Sequence, residues 1–199
     1  MRIAQLSKPL IVMALPQESR GQVERAGAQV LYTGVGKVNA ASTLARRLAE
    51  MRCTGDPMPL VVNLGTAGSR NLSAHSLVAC NRFSQRDMDV SGLGFEPGVT
   101  PFDDTPAIIE FAPVFTQLQQ CHCSTADSFA THLHTVAGDV VDMEAFALAR
   151  VCRAENSSFA CAKYITDGAD SDSAVHWEAA LEAAALSFSA LYSSLVAHA

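Results

Sequence analysis

Short apolar runs that stop abruptly at glycine, asparagine or acidic residues alternate along this chain with longer stretches of helical periodicity. Runs of four to nine apolar residues bounded by turn residues read as buried strands. Between them, apolar positions spaced by 3.6 residues read as amphipathic helices, and the alternation of the two is the pattern of an α/β fold. Segments 10–15, 30–34, 60–64, 76–83, 139–142 and 159–165 are predicted strands. Segment 39–51 is a predicted helix with Ala40, Leu44, Ala45 and Leu48 on one face and Asn39 as its N-cap. Segment 143–152 is a second, with Ala145, Leu148, Ala149 and Cys152 on one face, and the alanine-rich stretch 175–197 a third. Segments 108–111 and 114–120 are ambiguous, and the Asp-, Gly- and Pro-rich stretch 86–106 reads as a long loop. No repeat, linker or low-complexity tract divides the chain, so residues 1–199 are expected to form one domain.

Bulk properties exclude some classes of function. A net charge of −6 argues against a nucleic-acid binder, which needs a basic surface, but does not exclude a nucleoside, which carries no phosphate. No apolar run is expected to reach the roughly 20 residues of a bilayer span. The apolar stretch 9–15 runs into Pro16, Gln17 and Glu18 rather than a small-residue cleavage site, and so reads as a first strand and not a signal peptide. The six cysteines (Cys53, Cys80, Cys121, Cys123, Cys152 and Cys161) show no zinc spacing. In Cys121-His122-Cys123, neighbouring strand residues point to opposite faces, which works against a metal clip. Free thiols in a reducing cytoplasm fit this usage, and no metal or cofactor is implied.

Ligands in α/β folds collect at the carboxyl ends of strands, which singles out three places. Asn63-Leu64-Gly65-Thr66-Ala67-Gly68 ends a strand in small residues that let a ligand approach the backbone, or simply make a turn. Asp142-Met143-Glu144 puts two carboxylates at a strand-to-helix junction, where the helix dipole alone could account for either. In Thr166-Asp167 an acid follows a buried strand, where partial desolvation would raise its pKa for proton donation, or where it could cap the next helix. A dinucleotide site is disfavoured: Gly34-Val35-Gly36 lacks a third glycine at the right spacing, and no acid follows about twenty positions on.

Taken in order, Gly34-Val35-Gly36-Lys37-Val38-Asn39-Ala40-Ala41, Asn63 to Gly68, Val141-Asp142-Met143-Glu144-Ala145 and Ile165-Thr166-Asp167-Gly168-Ala169-Asp170 resemble the nucleoside phosphorylase/nucleosidase superfamily. Within it the likeness is greatest to the 5′-methylthioadenosine/S-adenosylhomocysteine nucleosidases and covers nearly the whole chain. The resemblance implies a three-layer α/β fold with a mixed central sheet flanked by helices, and hydrolysis of the N-glycosidic bond of a purine nucleoside. It implies that Asp167 protonates N7 of the departing base, that Glu144 holds ribose hydroxyls, and that Met143 packs on the sugar beside Asp142. Thr66, with Ala67 and Gly68, would lie near the ribose or the attacking water. Ser124-Thr125-Ala126-Asp127-Ser128-Phe129 resembles the segment whose phenylalanine stacks on the base, so Phe129 and the backbone of Ala130 would contact the purine, with Trp177 as another aromatic beside it.

The sequence departs from the family pattern near its start. The family's water-activating glutamate aligns with Gln17, which cannot act as a base, so Glu18 is the expected base. The stretch between Glu18 and Gly34 is shorter than in the family, which carries an extra strand pair there. The family's long loop reaches a partner subunit's site, which makes Leu93, Phe95 and Pro101 candidates for contact in trans and a homodimer the expected assembly. The phosphate-binding arginines of the superfamily's phosphorylases have no counterpart in 34–36 or 63–68, although Lys37, Arg20 and Arg70 lie near in sequence. Water is therefore the expected nucleophile. The alternatives are a phosphate-dependent phosphorylase and a catalytically silent nucleoside-binding protein.

Overall fold

The computed structural model describes residues 8–128, 138–167 and 173–197, with the side chains of 167 and 173–176 outside the description. Eight strands form one mixed sheet: β1 (Leu10–Met13), β2 (Val30–Tyr32), β3 (Val61–Gly68), β4 (Leu77–Gln85), β5 (Ile108–Glu110), β6 (Gln120–Thr125), β7 (Val140–Asp142) and β8 (Phe159–Asp167). Their order is β2-β1-β3-β7-β6-β4-β5, and β8 pairs with both β3 and β4. The sheet therefore does more than lie open between helices. The pairings β3–β8, β8–β4, β4–β6, β6–β7 and β7–β3 return to their starting strand, closing a ring through the single bridge Gly68↔Val141.

Side-chain alternation builds the layers. Along β1, Val12 faces one core while Ile11 and Met13 face the other, and in β8 Phe159 and Cys161 alternate with Ala160, Ala162 and Tyr164. On the first face pack α3 (Lys37–Thr54) and α4 (Ala145–Ala154), through Leu44, Leu48, Leu148 and Cys152. On the second packs α5 (Ser173–Ala197), through Ala180, Ala184, Phe188 and Leu191 at helical spacing. Burying a side chain such as Phe188 contributes roughly 1.5–3 kcal/mol.

Several expectations are corrected. Two short helices, α1 (Pro16–Ser19) and α2 (Gln22–Arg25), fill the shortened stretch after β1. Helix α3 begins earlier than predicted, with Gly36 as N-cap; Asn39 lies in its first turn and its amide donates to Val35 O. The small residues Gly65 to Gly68 belong to β3 itself and are not a turn. The stretch Trp177–Ala197 is long and apolar enough to cross a bilayer, with mean hydropathy 1.4, contrary to the expectation that no run would be. One face of it packs in the second core, while Leu186 and Val196 on other faces are exposed.

Candidate active site

A cavity of about 250 Å³ opens where strands end. Ala14 and Leu15 follow β1, Val35 follows β2, Thr66, Ala67 and Gly68 end β3, Arg86 follows β4, Val141 and Asp142 end β7, and Thr166 nears the end of β8. Glu18, Ser128, Met143, Glu144 and Trp177 complete the wall. The ring closure at Gly68↔Val141 brings the ends of β3 and β7, antiparallel to each other, to one place.

Glu18 reaches the cavity because α1 is a single turn. Pro16 fits its first turn, and Glu18 in its third position folds back to accept a hydrogen bond from Leu15 N at 3.2 Å through Oε2. Its Oε1 accepts from Thr66 N and Thr66 Oγ1, both at 2.9 Å. A carboxylate has about four acceptor positions, so three are used and one on Oε2 stays open. Gln17, one residue earlier, is exposed and lies off the cavity wall. Beneath α1, Ser19 Oγ lies 2.5 Å from Tyr32 Oη and 3.1 Å from Glu24 Oε1, and the Tyr32 hydroxyl also donates to Glu24. Burial and the Glu24 carboxylate push the Tyr32 phenol up to about 12, so it stays a donor.

The junction of β7 and α4 separates its two carboxylates by environment. Asp142 is buried against Lys163, with Oδ2 2.8 Å from Nζ; Oδ1 accepts from Thr125 Oγ1 at 2.5 Å and Oδ2 from Ala145 N at 2.8 Å. Burial alone would raise the Asp142 pKa, but the Lys163 ammonium and these donors outweigh it and hold it below the usual carboxylate range. Asp142 thus ties α4 to the sheet, and both its oxygens are engaged within the protein. Its carboxylate uses three of about four acceptor positions in this way, and Asp142 stands on the cavity wall. Among the described residues the Glu144 carboxylate accepts only the Gly36 N–H, at 2.9 Å, and burial followed by the nearby Asp142 charge pushes its pKa up to about 7. Gly65 stays side-chain-free for a physical reason: a Cβ there would stand 3.3 Å from Lys163 Nζ and 3.5 Å from Glu18 Oε1.

The first N–H groups of α3 are taken by the protein's own carboxylates. Asp127 Oδ1 accepts Lys37 N at 2.7 Å at the start of α3, next to the Gly36–Glu144 bond. A helix N-terminus is where phosphate would otherwise sit. The Lys37 ammonium is paired with Asp87 at 2.6 Å, and neither Arg20 nor Arg70 lines the cavity. Gly36 has φ +92°, and a Cβ would meet Asp127 Oδ1 at 3.1 Å.

Of the residues expected from sequence, Glu18, Thr66, Ala67, Gly68, Asp142, Met143, Glu144 and Trp177 line this one cavity. Asp167 closes β8 opposite Gly68, with its side chain outside the description, and Phe129 and Ala130 lie outside the described residues. Leu93, Phe95 and Pro101 lie on the loop after β4, away from the cavity wall. Leu93 is 74% exposed, and Phe95 packs edge-on against Phe102 of its own chain. Lys163 and Arg86 were missed. A lysine inside the apolar run 159–165 is the signal that could have marked a buried, paired charge. Arg86 donates to Ser128 Oγ at 3.2 Å and to Ser128 O at 2.7 Å.

Known proteins resemble this chain in sequence and in fold. The model of the phosphorylase superfamily matches residues 112–197. The 5′-methylthioadenosine/S-adenosylhomocysteine nucleosidase of Geobacillus thermodenitrificans (strain NG80-2) is 30% identical over 196 residues, covering 88% of this chain and 81% of the relative. That of Haemophilus influenzae (strain 86-028NP) is 29% identical over 199 residues, covering 88% and 83%. Among solved structures, the native futalosine hydrolase of Helicobacter pylori has a TM-score of 0.82 at 20% identity, covering 98% of this chain and 99% of that one. The 5′-methylthioadenosine/S-adenosylhomocysteine nucleosidase of the same organism, bound to butyl-thio-DADMe-Immucillin-A, also scores 0.82, at 19% identity, covering 98% and 100%.

Proposed function

The chain belongs to the nucleoside phosphorylase/nucleosidase superfamily, and on that premise we propose that it hydrolyses the N-glycosidic bond of a 5′-modified adenosine and releases adenine. The class of substrate comes from its relatives, which are named as nucleosidases of 5′-methylthioadenosine and S-adenosylhomocysteine. The observation that carries the reading is the Glu18 carboxylate, clamped at the cavity wall with one acceptor position open.

Breaking the bond between C1′ and the purine nitrogen moves an electron pair onto the base and leaves positive charge on the ribose. Protonation of N7 answers the first need, and Asp167 at the end of β8 is assigned that proton. Water then attacks C1′ and gives its proton to the open position on Glu18. Glu144, with three acceptor positions left, takes the ribose hydroxyls, and its negative charge beside the developing cation favours the transition state. Water, not phosphate, is the nucleophile. The N-terminus of α3 is occupied by Asp127, and among the described residues three carboxylates, Glu18, Asp142 and Glu144, line the cavity against one cation, Arg86, which is itself bonded to Ser128. Two finer readings go with this. Free cysteines suit the cytoplasm, which cell fractionation would check. The exposed apolar loop after β4 suits a homodimer.

Three substitutions test the roles. Asp167→Asn is expected to lower kcat by two or more powers of ten, on the order of the loss of a positioned acid, while nucleoside binding survives. Glu18→Gln should cost a similar factor and Gln17→Glu should change little. A Glu18→Gln variant with undiminished turnover would remove Glu18 as the base.

A further inference from the structure

The indole N–H of Trp177, at the start of α5, donates to Thr66 Oγ1 at 2.9 Å, and that hydroxyl in turn donates to Glu18 Oε1 at 2.9 Å. A hydroxyl has one proton and two acceptor positions. An N–H donor in one of those positions leaves the Thr66 proton to the carboxylate, and each bond in such a chain polarises the next. Lying beside the base, the place that the resemblance gives Trp177, would need only an aromatic ring and no N–H.

We infer that Trp177 is a positioning residue for Glu18, acting through the Thr66 hydroxyl, in addition to any ring contact it makes with substrate. The inference rests on the reading of the cavity as a nucleosidase site with Glu18 as the water base. Fixing the Thr66 hydroxyl leaves Oε1 doubly occupied by Thr66 N and Oγ1, so the open acceptor position lies on Oε2. The water that attacks C1′ then has one place to deliver its proton. The hydrogen bonds run from α5 through the end of β3 to α1, which also packs directly on α5.

Phenylalanine keeps the ring and removes the donor. Trp177→Phe should lower kcat for 5′-methylthioadenosine about three- to tenfold, the worth of one net hydrogen bond, with KM unchanged within about twofold. Trp177→Leu should raise KM as well. In a Thr66→Val background, which has no hydroxyl to orient, adding Trp177→Phe should change kcat by less than about twofold. Thr66→Ala serves if Thr66→Val does not fold. Trp177 is the only tryptophan of the chain, so its indole proton gives a single resonance that needs no substrate. That resonance should be protected from exchange in the wild type, and should move and lose protection in Thr66→Val. A resonance indifferent to Thr66→Val would overturn the inference, as would wild-type kcat in Trp177→Phe or fully additive losses in the double variant. A wild-type chain that turns over no nucleoside would defeat the nucleosidase reading together with this inference. An active wild type whose Trp177→Phe variant is equally active defeats the inference alone.

Discussion

Glu144 concentrates the electrostatics of the site in one side chain. Its pKa, pushed up to about 7 by burial and then by Asp142, means that a proton sits on the native carboxylate over a range where the unfolded group, at 4.5, has lost it. The stability this contributes is present below 4.5 and is lost as pH rises through about 7. Catalysis has the opposite sign, because ribose hydroxyls bind the ionised form. For the wild type, kcat/KM should therefore fall about tenfold per pH unit below about 7. Glu144→Gln should cost about two powers of ten in kcat and remove that limb. It should also melt higher than the wild type near pH 8, with the gap closing toward pH 5, because a neutral amide has no charge to desolvate. A flat pH profile between about 5 and 8 in the wild type would show that Glu144 need not be ionised. The residues alone marked Glu144 and Asp142 as a pair and the resemblance gave Glu144 the ribose hydroxyls, but the difference in their environments depends on Lys163, which approaches Asp142 from another strand.

At the scale of elements, what was legible followed periodicity, and what was lost followed tertiary contact. The helices α3 and α4 and the strands β1 and β8 announce themselves through apolar spacing, which depends on the element alone. The end of β3 does not. Gly65 to Gly68 has the composition of a turn, yet pairing with β8 and β7 holds it extended. Asn39 has the chemistry of an N-cap, but Glu144 and Asp127 arrive from far along the chain to accept the N–H groups of Gly36 and Lys37, and α3 starts earlier in consequence. The shortened stretch after β1 is filled by α1 and α2. The local alignment there offered Gln17, and only the single-turn geometry of α1 puts Glu18 inward and Gln17 in solvent.

At the scale of the molecule, the ring closure of the sheet explains how residues from six strand ends share one cavity. Sequence gave no hint of closure, since a single bridge carries it. The loop after β4 leaves Leu93 74% and Phe102 98% exposed, which makes an apolar surface expensive in a monomer. Sedimentation is expected to show a dimer that Leu93→Asp with Phe102→Asp converts to monomer; a monomeric wild type would remove the homodimer. The whole account stands on hydrolysis within the cavity. Its most direct test is adenine release from 5′-methylthioadenosine, followed by chromatography in phosphate-free buffer and again with added phosphate. The account predicts adenine and the free 5-methylthio sugar at the same rate in both. Release that requires phosphate, or no release in either, would contradict it.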